Sequence, residues 1–145
     1  MAGDIKRKKK ILAVDDDEKI TQLIKAILEN TGLYEVVIAH NGDEGLSKFH
    51  KEGPDLVISD VMMPGKNGFE LLQELRKPGV KWRPVIMLTA VDDALKKAYD
   101  LEADFYLTKP FDSKVLLRGI QTLLPLISMR NPEQPEKSDK PDEIG

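Results

Sequence analysis

Polar side chains that could do chemistry follow short apolar segments at four places in the chain. Asp15–Asp17 stand in a row after the first segment, Asp60 follows a later one, and Thr89 and Lys109 follow two more. A carboxylate can bind a hard cation or act as a nucleophile, and hydroxyl and ammonium groups can bind an anion. The chain has no cysteine, which excludes disulfides, thiolate zinc sites and thiol catalysis. Any chemistry must therefore use oxygen and nitrogen.

The apolar segments are rich in branched residues and alternate with segments of helical periodicity. The predicted strands are Ile11–Val14, Val36–Ala39, Leu56–Ser59, Pro84–Leu88 and Phe105–Leu107. The predicted helices are Ile20–Leu28, about Asp43–Lys51, Gly68–Lys77, Asp92–Leu101, and a last one from a cap at Asp112 or Ser113 to Leu124. Strands that are apolar without alternation are typical of a parallel sheet covered on both faces. The pattern predicts a doubly wound α/β fold, with helices on both faces of a five-stranded parallel sheet.

In such a fold, ligands bind at the carboxyl ends of the strands, where these polar residues stand. Asp16 and Asp60 are 44 residues apart, Asp60 and Thr89 are 29 apart, and Thr89 and Lys109 are 20 apart. Each interval is close to a whole number of strand-helix units. All four strand ends can therefore share one edge of the sheet.

The charges expected at that edge do not balance. Ionised Asp15, Asp16 and Asp60 would face the single positive charge of Lys109. At roughly 5 Å and an effective dielectric constant of about 20, each like pair repels by about 3 kcal/mol. A hard divalent cation would relieve this repulsion, and Mg²⁺ suits the site best because it accepts a few carboxylates together with water and phosphate oxygens.

Four motifs closely resemble the response-regulator receiver domain of two-component phosphorelay signalling. They are Ile11–Asp16, Asp55–Gly65, Met87–Ala90 and Tyr106–Phe111, and the resemblance runs from about Lys9 to Leu126. It implies a flavodoxin-like sheet with strand order 2-1-3-4-5. It also implies a signalling phospho-acceptor that catalyses only its own phosphorylation and dephosphorylation.

The resemblance implies a role for each residue at the edge. Asp60 would accept a phosphoryl group from a sensor histidine kinase or a phosphotransfer protein. The implied Mg²⁺ ligands are Asp15, Asp16, Asp60 and the carbonyl of Met62, with Asp15 acting at least partly through water. The implied phosphate-binding groups are Thr89, Ala90 and Lys109. Thr89 and Tyr106 would form a switch that remodels the face made by the fourth predicted helix, the fifth strand and the last helix, and Pro110 would follow a cis peptide bond.

Composition divides the chain into a basic tail over residues 1–8, a receiver domain over 9–127 and a Pro-rich, acidic tail or linker over 128–145. The net charge of -3 and the lack of a long apolar run give no reason to expect a nucleic-acid or membrane partner. We expect a cytoplasmic protein with an unknown downstream protein partner. A phosphorylation-dependent dimer is a further possibility.

Two other functions remain open at this point. A small Mg²⁺-dependent phosphatase of the aspartyl-phosphate type would use a first-strand nucleophile with a second aspartate two residues on, and Asp15 and Asp17 have that spacing. A degenerate receiver would act only as a protein-binding module, although its acidic, Thr and Lys positions are complete. Labelling by acetyl phosphate distinguishes these functions.

Three features depart from the family pattern or modify it. Glu102 stands where a glycine is usual, so the loop before the fifth strand can differ from the common form. Trp82, the only tryptophan, lies in a long basic connection and is either a loop anchor or a partner contact. Apolar Met62 and Val91 flank the expected path of the attacking water, which predicts slow loss of the phosphoryl group.

Overall fold

The computed structural model describes residues 7–90 and 103–131. The predicted helix Asp92–Leu101, together with Val91 and Glu102, lies outside the described residues. Five parallel strands form one sheet in the order β2-β1-β3-β4-β5. The predicted sheet and its strand order are confirmed.

Strands and helices alternate through most of the described chain. The strands are β1 (Lys9–Val14), β2 (Tyr34–Ala39), β3 (Leu56–Asp60), β4 (Val85–Thr89) and β5 (Phe105–Thr108). The described helices are α1 (Glu18–Glu29), α2 (Gly42–Glu52), α3 (Gly68–Leu75), α4 (Ser113–Leu123) and α5 (Leu126–Arg130). Among these helices, none is long and apolar enough to cross a membrane. The short helix α5 was not predicted.

The strands are apolar on both faces because the sheet separates two packed cores. In β1, alternate residues point to opposite faces. Ile11 and Ala13 pack in one core with apolar residues of α1 and α4. Leu12 and Val14 pack in the other core with apolar residues of α2 and α3. Helices therefore cover both faces of the sheet, as the unbroken apolar strands predict.

Side-chain caps begin the helices that follow the strand ends. Asp17 accepts a hydrogen bond from the Lys19 amide and so caps the start of α1. Asp112 caps α4 in the same way. Asn67 forms a reciprocal capping box with Glu70 at the start of α3. These caps fix the residue at which each of these three helices begins.

Trp82 is held by contacts within the chain. The guanidinium groups of Arg76 and Arg130 lie over its indole ring, 5.4 Å and 4.6 Å from the ring centre. Its backbone amide donates to Asn131 Oδ1 at 3.2 Å, and its carbonyl accepts from Asn131 Nδ2 at 3.1 Å. These contacts are those of a loop anchor, and they join the connection before β4 to the end of α5.

Gly68 at the start of α3 has no room for a side chain. Its amide donates to the Val61 carbonyl at 2.8 Å, and an added Cβ would overlap the carbonyl oxygen of Asp60. We expect Gly68→Ala to lower the free energy of unfolding by about 3 kcal/mol, because the obstructing atom is backbone and cannot turn away. Urea denaturation measures the loss.

Gly45→Ala is the matched control, because an added Cβ there meets only side-chain methyl groups of Val14 and Leu71, at 3.0 to 3.3 Å. Those methyl groups can move, and alanine is the better helix former. We expect a small change in Gly45→Ala. Equal losses in the two variants would contradict the proposed clash.

Candidate functional site: a carboxylate and lysine cluster at the strand ends

Three carboxylates meet where β1 and β3 end. Asp15 and Asp16 follow β1 directly, and Asp60 is the last residue of β3. The two strands are parallel neighbours, with Val14 opposite Ser59, so the residues that follow these two lie side by side. One oxygen each from Asp15, Asp16 and Asp60 can be chosen so that all three lie within 4.8 Å of one another. The shared edge predicted from the spacing therefore exists.

Lys109 reaches this group from the end of β5. Its Nζ lies 2.9 Å from Asp15 Oδ2 and 3.1 Å from Asp60 Oδ1. Its amide donates to the Thr89 carbonyl at 3.0 Å, and the peptide bond to Pro110 is cis, as the resemblance implied. The lysine therefore contacts two of the three carboxylates directly.

The members of the cluster differ in their exposure to solvent. Asp15 is 1% exposed and Asp60 is 6% exposed. Asp16 is exposed, and the Lys109 side chain is 21% exposed. A ligand that enters from solvent would thus meet Asp16 first and two buried carboxylates behind it.

Burial and charge shift the proton affinities in the cluster. Burial raises the pKa of Asp60, the negative charges of Asp15 and Asp16 raise it further, and Lys109 lowers it only in part. Burial by itself would lower the pKa of Lys109, but its contacts with Asp15 and Asp60 outweigh that effect and raise it. Lys109 is therefore charged at neutral pH, and it only partly offsets the negative charge around Asp60.

The donor set fits a hard cation. Asp15 Oδ1 accepts a hydrogen bond from the Asp17 amide at 2.8 Å. Asp15 Oδ2 is buried, and it lies 2.9 Å from Lys109 Nζ. A buried oxygen with spare lone pairs, beside two further carboxylates and open to water at Asp16, is what an ion such as Mg²⁺ requires.

The other predicted site residues lie in β4 and β5 or follow β3 and β4. Thr89 ends β4 and is 8% exposed, and Ala90 follows it at the surface. Tyr106 lies in β5 opposite Met87 and is partly buried against the core on the α2 and α3 side. The Met62 side chain is 59% exposed, two residues after Asp60. The phosphate-binding, switch and metal-binding roles of these residues stay predictions.

Ser59 is a residue that the sequence analysis missed. It is 1% exposed, and its hydroxyl donates to the carbonyl of Asp60 at 2.9 Å. The available signal was a polar residue inside an otherwise apolar strand, directly before Asp60. The bond helps to fix the backbone that presents the Asp60 carboxylate.

The cation site leads to a prediction about stability. Mg²⁺ at ten times its dissociation constant should raise the free energy of unfolding by about 1.4 kcal/mol, because the ion binds the folded state alone. Asp16→Ala should abolish this gain by removing the exposed carboxylate. Thermal melts with and without Mg²⁺ measure it, with Asp17→Asn as a control that keeps both the helix cap and the gain. A full Mg²⁺ gain in Asp16→Ala would show that the ion binds elsewhere.

Comparison with known proteins gives a consistent result. The family model of the response regulator receiver domain matches residues 11–121. The chain is 39% identical over 134 residues to the alkaline phosphatase synthesis transcriptional regulatory protein PhoP of Bacillus subtilis, with 91% of this chain and 55% of that protein covered. It is 44% identical over 117 residues to the transcriptional regulatory protein CpxR of Klebsiella pneumoniae, with 79% and 49% covered. The chain thus spans about half the length of these relatives.

Solved structures agree with the sequence matches. The chemotaxis protein CheY4 of Vibrio cholerae superposes with a TM-score of 0.74 at 38% identity, over 81% of this chain and 99% of that one. The response regulator TrrA of Thermotoga maritima, solved in complex with Mg²⁺ and BeF, gives 0.72 at 38% identity, over 79% and 98%. Both similarities cover nearly the whole of the solved chain.

Proposed function

Because this chain belongs to the response regulator receiver domain family, we propose that it is a phosphorylation switch in which Asp60 accepts the phosphoryl group. The donor would be a sensor histidine kinase or a phosphotransfer protein. The observation that carries the proposal is the position of Lys109 Nζ between the buried carboxylates of Asp15 and Asp60. A lysine so placed can pair with an oxygen of a phosphoryl group that arrives at Asp60.

The proposed reaction is a displacement at phosphorus. A carboxylate oxygen of Asp60 forms a bond to phosphorus while the bond from phosphorus to the donor's leaving group breaks, giving an acyl phosphate. Water later attacks phosphorus, releases inorganic phosphate and restores the carboxylate. Lys109 supplies positive charge close to the position where the phosphoryl oxygens would lie.

Mg²⁺ would be held by Asp15, Asp16, Asp60 and the carbonyl of Met62. When bound, the ion supplies positive charge that offsets the repulsion between the carboxylates and an incoming anion. The BeF and Mg²⁺ bound to the Thermotoga relative support this assignment, since beryllium fluoride imitates a phosphoryl group. The buried Asp15 Oδ2 supports it independently.

The signal would pass from Asp60 to β5. Phosphorylation adds negative charge and oxygen atoms, which the Thr89 hydroxyl, the Ala90 amide and Lys109 would bind. Movement of Thr89 toward them would leave space beside β5 for Tyr106 to turn inward. A pre-existing equilibrium between two states would shift, and with it the affinity of this face for a downstream protein or for a second copy of the chain.

Thr89→Ala should separate phosphorylation from switching. The variant should still bind Mg²⁺ and beryllofluoride, because Asp60 and Lys109 remain, but it should lose the response of β5. Backbone amide shifts measure this: the shifts at Asp60 should change as in the wild type, while those around Tyr106 stay near their unphosphorylated values. Thr89→Ser keeps the hydroxyl and should restore the response. Full β5 shifts in Thr89→Ala would rule the coupling out.

Incubation of the intact protein with acetyl phosphate tests the function, with and without Mg²⁺. We expect a mass gain of one phosphoryl group that needs Mg²⁺ and maps to Asp60. Label at Asp15 with continuous phosphate release would indicate the phosphatase, and no label would indicate a protein-binding module.

The proposal also places the protein in the cytoplasm with its kinase, and the relatives named as transcriptional regulators support an output that lies outside this chain.

A further inference from the structure

Two aspartates repeat one arrangement at the opposite edge of the sheet. Asp55 immediately precedes β3, and Asp104 immediately precedes β5. Asp55 stands five residues before Asp60, and Asp104 stands five residues before Lys109. Each aspartate thus lies at the start of a strand whose far end delivers a residue of the proposed phosphorylation site.

Each aspartate makes the same pair of hydrogen bonds to the neighbouring strand. The Asp55 amide donates to the Lys10 carbonyl at 2.7 Å, and Asp55 Oδ2 accepts from the Lys10 amide at 2.8 Å. The Asp104 amide donates to the Val85 carbonyl at 2.9 Å, and Asp104 Oδ2 accepts from the Val85 amide at 2.8 Å. One residue thereby binds both backbone groups of a single residue opposite, and a slip of one residue would break both bonds because the next residue turns its backbone groups the other way.

Register decides whether the far ends of these strands meet. A slip by one residue would move a strand by about 3.3 Å and turn every side chain to the other face. The strand β5 is short, with four residues, and it stands last in the sheet order. Its own ladder is therefore short, and bonds that a one-residue slip would break have the most to contribute there.

Arg76 holds the Asp104 carboxylate in place. Its Nη2 lies 3.0 Å from Asp104 Oδ2, and its Nη1 donates to the Arg83 carbonyl at 2.9 Å. The side chains of Arg76 and Asp104 are 11% and 15% exposed. The carboxylate is thus fixed from the α3 side and from the β4 side, which leaves it little freedom to follow a displaced strand.

We propose that Asp55 and Asp104 are positioning residues, which set the registers of β3 and β5 and so place Asp60 and Lys109 within reach of each other. The inference rests on the proposed function, because it explains how the two strands deliver the groups of that reaction. It assigns a part in the chemistry to residues at the edge remote from the site.

Substitutions of Asp104 and Asp55 should have different effects. Asp104→Ala should displace Lys109 and leave the Mg²⁺ ligands on β1 and β3 in place. We expect the rate of phosphorylation by acetyl phosphate to fall roughly tenfold to a hundredfold, with Mg²⁺ affinity unchanged or slightly tighter. Asp55→Ala should displace Asp60, so Mg²⁺ affinity and phosphorylation rate should fall together. A general loss of stability would not lower Mg²⁺ affinity in Asp55→Ala and spare it in Asp104→Ala.

A double-variant comparison isolates the route through Lys109. In a Lys109→Met background, Asp104→Ala should cause little further loss of rate, because the group it positions is already absent. Asp104→Asn keeps an acceptor for the Val85 amide and should retain most of the wild-type rate. Asp112→Ala is the control: it removes another aspartate bond to a backbone amide, at the α4 cap, and should lower stability without slowing phosphorylation.

Rates are measured on the full chain, well below each variant's melting temperature. The inference is wrong if Asp104→Ala is labelled as fast as the wild type, if Asp112→Ala slows labelling as much as Asp104→Ala does, or if the loss from Asp104→Ala persists in full beside Lys109→Met. Each of these outcomes leaves the proposed function standing as long as the wild type is labelled at Asp60. If the wild type takes no label, both the proposed function and this inference are wrong.

Discussion

Asp60→Asn should take up no phosphoryl group from acetyl phosphate and should also make the metal-free protein more stable. Asparagine has nearly the same shape but no negative charge, so it cannot form the acyl phosphate. It also ends the repulsion that Asp60 has with Asp15 and Asp16. We expect a gain in the free energy of unfolding at pH 7, because burial and the neighbouring carboxylates disfavour the charged form of Asp60. Intact mass and urea denaturation measure the two effects.

The gain in the free energy of unfolding from Asp60→Asn should depend on pH. The pKa of Asp60 is raised above its ordinary value of 3.8, mainly by burial. An acid whose pKa is higher in the folded protein than in the unfolded chain loses stability as the pH rises between those two values. The advantage of Asp60→Asn should therefore be smallest below the ordinary value and grow until the pH passes the raised one. Mg²⁺ should reduce the advantage of Asp60→Asn, because it binds the wild type, which keeps all the proposed ligands, more tightly than the variant.

Asp17→Asn is the matched control for this experiment. Asp17 belongs to the same acidic run, but it caps α1, and asparagine serves equally well as a cap. This variant should be labelled at Asp60 like the wild type. Loss of labelling in Asp17→Asn would favour the phosphatase, in which the second aspartate of the pair takes part. A less stable metal-free Asp60→Asn would contradict the repulsion described here.

Lys109→Met should destabilise the metal-free protein by about 3 kcal/mol. The substitution leaves two buried carboxylates without the cation that both contact, and breaking a buried pair by removing one partner costs about 3 to 5 kcal/mol. The lower end applies because the lysine side chain is 21% exposed. Mg²⁺ should restore more stability to Lys109→Met than to the wild type, since it then meets a more negative site. Urea denaturation at several Mg²⁺ concentrations measures both effects.

Lys66→Met provides the comparison. The Lys66 side chain has the same exposure, 21%, but its ion contacts with Asp43 and Glu74 are 3.9 Å long and lie outside the cluster. Such contacts are worth about 0 to 1 kcal/mol, so the variant should lose little and respond to Mg²⁺ as the wild type does. A loss in Lys66→Met that equals the loss in Lys109→Met would show that neither depends on the buried carboxylates.

Local patterns predicted most of the secondary structure. The apolar runs indicated all five strands, although β1 and β2 begin two residues earlier than predicted. The helical spacing indicated α1, α2, α3 and α4, and Asp112, the cap of the last, was one of the two residues predicted for that position. These features depend on side-chain periodicity and on bonds between near neighbours in the chain. The short helix α5 escaped prediction because its five residues are too few to show a period.

The sequence indicated which residues belong to the candidate site. Aspartate, threonine and lysine stand out directly after apolar strands, and the rule that parallel strands present their carboxyl ends together brings them to one edge. The contact of Lys109 with Asp15 as well as Asp60 was not predictable, because it depends on the register of an edge strand. Ser59, Asp55 and Asp104 were missed because their partners are backbone groups or, for Asp104, also an arginine at the end of α3.

The amino-acid sequence by itself determined the alternation of strands and helices, the parallel sheet, and the acidic and basic groups gathered at its carboxyl edge. Each of these follows from residue type and spacing within one segment or from a general rule of chain topology. Only the tertiary structure decided which carboxylates are buried, which of them Lys109 contacts, and how Arg76 and Asp104 hold β5. Those properties depend on distances of a few ångströms between distant segments, and such distances are set by the packing of the whole domain.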